Sequence, residues 1–229
     1  MALEKLGLLK STLVDYPGEV AATVFTNGCN LSCPYCHNPQ LVAGPPPDDF
    51  LTREQIMAYL DRRKSVLGGV CITGGEPTLH ADLPELIADI HRFGLKVKLD
   101  TNGTLPDRLE GLDVDYVAMD IKAAPEHYDR VGMADAAERI RRSMALIRAL
   151  GTSYEFRTTV VPGIVDDADI DLICESLEPG DTYILTQYRP YLTLDPAYES
   201  VGPYPLETLE DMRDRCVTRG INAHVRAGK

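Results

Sequence analysis

Apolar runs rich in β-branched residues alternate with segments whose apolar residues recur every three or four positions. Val20 to Thr26 predicts a first strand. After a Pro-rich bend at Gly44 to Pro47, Thr52 to Lys64 predicts a helix, with Thr52 and Gln55 spaced as a capping box. Gly69 to Thr73 is almost wholly apolar and predicts a second strand, closed by Gly74-Gly75-Glu76-Pro77. The pattern then repeats: a helix over Leu83 to Phe93, a strand over Lys96 to Asp100, a turn at Thr101-Asn102-Gly103 and a strand over Tyr116 to Ile121. A long helix over Asp135 to Leu150, a strand over Tyr154 to Val161, a helix over Ala168 to Leu177 and a strand over Thr182 to Gln187 follow. The Tyr/Pro-rich stretch Pro190 to Pro205 reads as loop, before a helix over Leu206 to Arg219 and a short apolar run, Ile221 to Val225.

Strands alternating with helices of this length predict βαβ units and a parallel sheet. About six units are too few for a complete eight-fold barrel. The expected fold is therefore α/β, a partial (β/α)6 TIM-like barrel. No linker or composition shift divides the chain, so one domain is expected over 1–229, with a core over about 18–190 and a C-terminal helix at about 206–220. In such sheets functional groups gather at the carboxyl ends of the strands. The loop after Thr26, Gly74-Gly75-Glu76-Pro77, Asp100-Thr101-Asn102-Gly103 and Met119-Asp120-Ile121-Lys122 all fall at predicted strand ends.

With 23 basic against 35 acidic residues the net charge is −12, which argues against a broad phosphate-binding surface and so against nucleic acid. The one dense basic stretch, Arg139-Ile140-Arg141-Arg142, reads as a solvated helix face. No apolar stretch reaches the length of a membrane span, and Met1 to Lys10 lacks the pattern of a secretory signal. A cytoplasmic location is the expectation. Cys71, Cys174 and Cys216 read as small core residues, and His80, His91, His127 and His224 as surface residues.

Cys29, Cys33 and Cys36 are different, because they crowd onto one loop in C-x3-C-x2-C spacing. Structural zinc, catalytic zinc, an Fe–S electron carrier and a [4Fe–4S] cluster with one open iron all compete for such a loop. Structural zinc needs four closed ligands, and His37 directly follows Cys36, so the two seldom reach one tetrahedral ion. A ferredoxin-type carrier needs a fourth nearby cysteine, and none lies between Cys36 and Cys71. The open cluster fits best.

The cysteine loop with Tyr35 before its last cysteine, followed by Gly-Gly-Glu-Pro, resembles the radical S-adenosylmethionine (SAM) superfamily. Gly18-Glu19-Val20-Ala21, Phe25-Thr26-Asn27-Gly28-Cys29, Cys36-His37-Asn38-Pro39, Asp120-Ile121-Lys122 and Val160-Val161-Pro162-Gly163 sharpen this toward the glycyl-radical-enzyme activases. Thr26-Asn27-Gly28-Cys29-Asn30 with Gln187-Tyr188-Arg189-Pro190 is most similar to activating proteins of anaerobic ribonucleoside-triphosphate reductase. The resemblance implies that SAM chelates the open iron, and that one-electron cleavage of the sulfonium yields a 5′-deoxyadenosyl radical that abstracts hydrogen from a partner's glycine. It also implies a flavodoxin or ferredoxin as electron donor. Two alternatives stand beside it: a small-molecule radical SAM enzyme like 7-carboxy-7-deazaguanine synthase, and a non-catalytic Fe–S carrier or zinc scaffold.

Within that resemblance, Gly74, Gly75, Glu76 and Pro77 are expected at the SAM amino group, where glycines admit a close approach and a carboxylate accepts from ammonium. Tyr35 packs beside cluster or adenine, or anchors its own loop; His37 reaches the ligand or structures the loop. Asp100, Thr101 and Asn102 end one strand, and Asp120 and Lys122 share a face at the next strand end. Lys122 is expected at SAM's carboxylate. Asp100, Thr101 and Asp120 are the positions where the resemblance implies a monovalent cation. Arg157, charged within an apolar run, contacts SAM or pairs structurally. Gln187 stands in for a ligand-contacting histidine of some activases.

Overall fold

The computed structural model describes residues 3–227; Met1, Ala2, Gly228 and Lys229, the ends of the expected 1–229 domain, lie outside the described residues. The strands are β1 (Lys5–Thr12), β2 (Ala21–Thr26), β3 (Leu51–Thr52), β4 (Gly69–Gly74), β5 (Lys96–Thr101), β6 (Tyr116–Asp120), β7 (Ser153–Val160), β8 (Thr182–Gln187) and β9 (Asn222–Arg226). The helices are α1 (Arg53–Arg63), α2 (Leu83–His91), α3 (Ala137–Ala149), α4 (Asp167–Ser176) and α5 (Leu206–Val217). They build one sheet in the order β3-β1-β2-β4-β5-β6-β7-β8-β9. From β2 to β9 every pairing is parallel; β1 joins β2, and β3 joins β1, antiparallel. The result is a partial barrel, with two departures from the expected count. The short run after Ile221 becomes a seventh parallel strand, β9, laid against β8. Between β5 and β6 a short 3₁₀ turn, Pro106–Arg108, replaces a helix.

Helix faces explain where the core lies. Leu83, Leu86, Ile87 and Ile90 make the buried stripe of α2, and Ile140, Met144 and Ile147 that of α3. They cover the sheet face carrying Val70, Ile72, Val97, Leu99, Val117 and Phe156, all fully buried. The opposite face is polar. Lys98 and Asp100 alternate with Val97 and Leu99 along β5, and the register sets Asp100 opposite Ala118 and Asp120 opposite Arg157. One strand pattern therefore builds two environments, an apolar core outside the barrel and a charged lining within. The N-terminal ends of α1 and α4 are ordered from the chain itself: Thr52 with Gln55, and Asp166 with Asp169, form capping boxes.

Candidate active site

The cysteine loop starts where β2 ends and is pinned from four directions. Gly28 and Cys29 donate their N–H groups to the carbonyls of Leu41 and Val42, which closes the loop on itself. Ser32 N donates to Val131 O, and Asp195 N from the β8–α5 connection donates to Pro34 O. Tyr35 is buried, donates its hydroxyl to Lys122 O at 2.9 Å and meets Tyr188 edge-on. It anchors the loop. His37 stacks on Tyr188, rings 6.1 Å apart, with Nε2 2.9 Å from Arg189 O. The β8–α5 connection thus forms one wall of the cysteine loop.

Cys29, Cys33 and Cys36 line a cleft of about 210 Å³ together with Tyr35 and His37. Its other walls are strand ends: Gly74, Gly75 and Glu76 after β4, Asp100, Thr101 and Asn102 at β5, and Asp120 and Lys122 at β6. Thr73, Thr159, Leu31, Asn38 and Val42 also line it, none of them expected there as a site residue. Among the described residues no three His, Cys, Asp or Glu side chains converge on a single metal-ion position. The thiols share one cleft without meeting at one point, which suits a multi-iron group better than a lone zinc. Burial raises the Cys29 thiol and pushes Cys33 up to about 12, against the opposing pull of Lys122 on both. Loading of a thiolate-bound cluster therefore displaces protons from this loop.

Gly74 and Gly75 let two backbone segments lie in contact at the cleft. At Gly74, φ is +121°, and a Cβ there would stand 2.4 Å from Thr26 N and O; at Gly75 it would stand 2.0 Å from Gly28 O. Two glycines let β4's end lie against the backbone that enters the cysteines, through Gly75 N to Thr26 O and Glu76 N to Gly28 O. Glu76, buried, has both carboxylate oxygens engaged. Oε1 accepts from Thr78 N, Thr78 Oγ1 and Thr101 Oγ1, and Oε2 accepts from Asn102 N at 2.6 Å. It ties the end of β4 to the end of β5. Burial raises its carboxyl while these donors pull the other way. Pro77 begins the 3₁₀ turn Pro77–Leu79 and does not line the cleft. Asn102 donates to Asn30 Oδ1 at 3.0 Å, and Asn30 donates to Thr104 Oγ1, so Asn30 carries the strand-end network into the cysteine loop.

Below the cleft runs a ladder of buried charges. Lys98, only 2% exposed in its side chain, pairs with Asp100 Oδ1. Arg157 reaches Asp100 Oδ2 at 3.2 Å, Asp120 Oδ1 at 2.8 Å and Glu155 Oε1 at 3.7 Å. Lys122 Nζ holds Asp120 Oδ2 at 3.0 Å. Burial alone would raise Asp120, but Arg157 and Lys122 outweigh it and hold the carboxyl well below the ordinary range. Burial would likewise lower Lys122, and Asp120 and Cys33 reverse it. Arg157 is held by these acids rather than lining the cleft, and Gln187 donates to Tyr204 O at 3.0 Å, also off the cleft lining. Two readings of scattered residues change as well. His80 is buried with Nε2 3.1 Å from Asn27 O, and partly buried His127 has Nδ1 2.5 Å from Asp169 Oδ1, so neither is merely superficial. Cys174 and Cys216 meet between α4 and α5 with sulfurs 2.8 Å apart.

The comparisons match this geometry. A model described as the radical SAM superfamily matches residues 23–174, from β2 into α4. A protein of Methanocaldococcus jannaschii named as a glycyl-radical enzyme activating enzyme is 32% identical over 214 residues, 88% of this chain and 86% of its own. The pyruvate formate-lyase-activating enzyme of Clostridium pasteurianum is 30% identical, covering 73% of this chain and 71% of its own. The 7-carboxy-7-deazaguanine synthase of Methanopyrus kandleri is 31% identical, over 58% of this chain and 60% of its own. Streptococcus suis SuiB bound to S-adenosylmethionine shares the fold, with a TM-score of 0.64 at 16% identity over 89% of this chain and 49% of that chain. With three thiols on one strand-end loop and a family match across the sheet that carries them, the chain belongs to the radical SAM superfamily, as an enzyme homologous to the glycyl-radical enzyme activating enzymes.

Proposed function

We propose that the chain is an activase that installs a glycyl radical on a partner enzyme, the partner being anaerobic ribonucleotide reductase. The observation that carries the reading is the cleft itself: three thiols on one wall, strand-end Asp100, Asp120 and Lys122 on the other, and backbone amides organised by Glu76 between them. Similarity to a named activating enzyme over nearly the full length of both chains supports it.

Cys29, Cys33 and Cys36 fit three irons of a [4Fe–4S] cluster, leaving the fourth for SAM's amino and carboxylate groups. When bound, the cluster and SAM would supply one-electron cleavage of the sulfonium. The protein's part is to bind and orient. Lys122 Nζ, already at the cleft wall, offers a charge-assisted donor to SAM's carboxylate. Gly74, Gly75 and Glu76 shape the floor under its amino group, and Tyr35 and His37 brace the cysteine loop against Tyr188. A flavodoxin or ferredoxin supplies the electron in a cytoplasmic setting.

The test is anaerobic mixing of the reconstituted, reduced chain with SAM and the large subunit of an anaerobic ribonucleotide reductase. A glycine-centred doublet in the electron paramagnetic resonance (EPR) spectrum is the expected result. SAM cleavage that proceeds only with a small molecule such as a pterin, and never yields the doublet, would overturn the activase reading in favour of a deazaguanine synthase-like one.

A further inference from the structure

The residues where family resemblance implies a monovalent cation do not have the chemistry to hold one. Asp100 and Asp120 are the only carboxylates of that trio, and each of their four oxygens already faces a cationic nitrogen. Lys98 Nζ sits on Asp100 Oδ1, Arg157 Nη2 on Asp100 Oδ2, Arg157 Nε on Asp120 Oδ1 and Lys122 Nζ on Asp120 Oδ2. Thr101 Oγ1 is turned away, donating to Glu76 Oε1 at 2.7 Å and accepting from Gly103 N at 3.1 Å. An alkali ion placed among these oxygens would stand a few ångströms from an ammonium and a guanidinium, in a site where water screens little.

We propose that the chain carries its counter-cation covalently: the ammonium of Lys98, with the guanidinium of Arg157, replaces the alkali ion and makes the SAM site independent of sodium and potassium. Within the barrel Lys98, Lys122 and Arg157 oppose Asp100, Asp120 and Glu155, three against three, and Arg226 reaches Glu155 from the exposed edge at 3.8 Å as a fourth cation. Lys98 is the decisive member because its ammonium is buried at Asp100. Its side chain lies beside Cys71 and over the Tyr116 ring, and Asp100 is the acid paired with it. Lys98 is thus a positioning residue, fixing Asp100 at the cleft without touching the cofactor. The inference rests on the SAM-site reading above.

The experiment exchanges the full chain, with its cluster reconstituted anaerobically, into tetramethylammonium chloride, then titrates KCl or NaCl at constant ionic strength. Thermal midpoint and rate of SAM cleavage are both followed. For the wild-type chain neither responds: the rate stays within about twofold and the midpoint is flat, as expected when no cation site binds the native state. Lys98→Met removes the internal cation, and its rate rises at least about tenfold with potassium or sodium while its midpoint climbs saturably. A wild-type chain whose midpoint or rate rises saturably with either ion overturns the proposal, whether or not Lys98→Met folds. Failure to cleave SAM in any salt would count against the SAM-site reading alone, because the melting titration still decides cation binding.

Discussion

Glu76 and Gly75 show how much of the site depends on single atoms. Glu76 accepts four hydrogen bonds while buried, so Glu76→Gln sets an amide NH2 against a backbone N–H, of Asn102 or of Thr78, that can only donate. An unpaired buried polar group of this kind costs about 1–3 kcal/mol. Urea unfolding of the variant is expected to show a lower midpoint, and equilibrium dialysis a weaker SAM affinity; an unchanged midpoint would mean that the ends of β4 and β5 are not held through Glu76. Gly75→Ala acts differently, because its Cβ meets Gly28 O at 2.0 Å and backbone must move. Overpacking of this order costs about 1–3 kcal/mol. Reconstituted iron per chain should fall well below that of the wild type, since the displaced segment leads directly into Cys29; full iron incorporation would contradict it. The motif containing these residues could be read from the chain, but their role could not. Gly-Gly-Glu-Pro reads as ligand contact alone, and its second task, joining strand ends through Gly28 and Thr101, needs the three-dimensional neighbours.

Elements were readable in proportion to how local their causes are. α1, β2 and the strands from β4 to β8 follow from period and caps, and the capping box at Thr52 and Gln55 is present where its spacing places it. β1 escaped because it is an antiparallel strand that β3 covers only at Lys5 and Leu6, and its apolar side chains are not all inside: Leu9 is 45% exposed. β9 escaped because its four or five residues become a strand only by pairing with β8. At the outer edge, Asp181 holds α3 to the loop before β8. It is buried and accepts from Arg148 Nη2 at 2.6 Å, Tyr154 Oη at 2.8 Å and Glu178 N at 2.8 Å. Burial raises this carboxyl, but the Arg148 hydrogen bonds and the other donors prevail and hold it below the usual carboxylate range. A depressed folded value means stability present above the unfolded pKa of about 3.9 and lost as pH falls through the folded value. Asp181→Asn is therefore expected to unfold about 1.5–3 kcal/mol more easily at pH 7. The deficit should shrink as both proteins are titrated below pH 4. Chemical denaturation across that range checks it, and a pH-independent difference would refute the linkage.

Across the whole molecule, the sheet does two jobs with opposite faces. Outside, helices bury an apolar core; inside, the ladder from Lys98 to Lys122 pairs charge beside the proposed SAM site. Arg157 illustrates why the sequence alone left two roles open. A lone charge in an apolar strand requires a partner, yet only the β6–β7 register identifies Asp120 as that partner. Gln187 shows the reverse case, since a strand-end residue in the expected place is drawn off toward Tyr204 by the β8–α5 connection. The cysteine loop needed no such context: its spacing is a local property, and the structure sets all three thiols in one cleft. Removing one of them, as in Cys33→Ala, is expected to abolish SAM cleavage while leaving the fold intact by circular dichroism; undiminished cleavage would refute the ligand assignment.

The account turns on one iron left open for SAM by three thiols. EPR of the reconstituted, reduced chain before and after adding SAM examines that directly. The account predicts a [4Fe–4S] signal whose g-values shift when SAM binds. A signal unchanged by saturating SAM, or iron stoichiometry well short of four per chain, would contradict it.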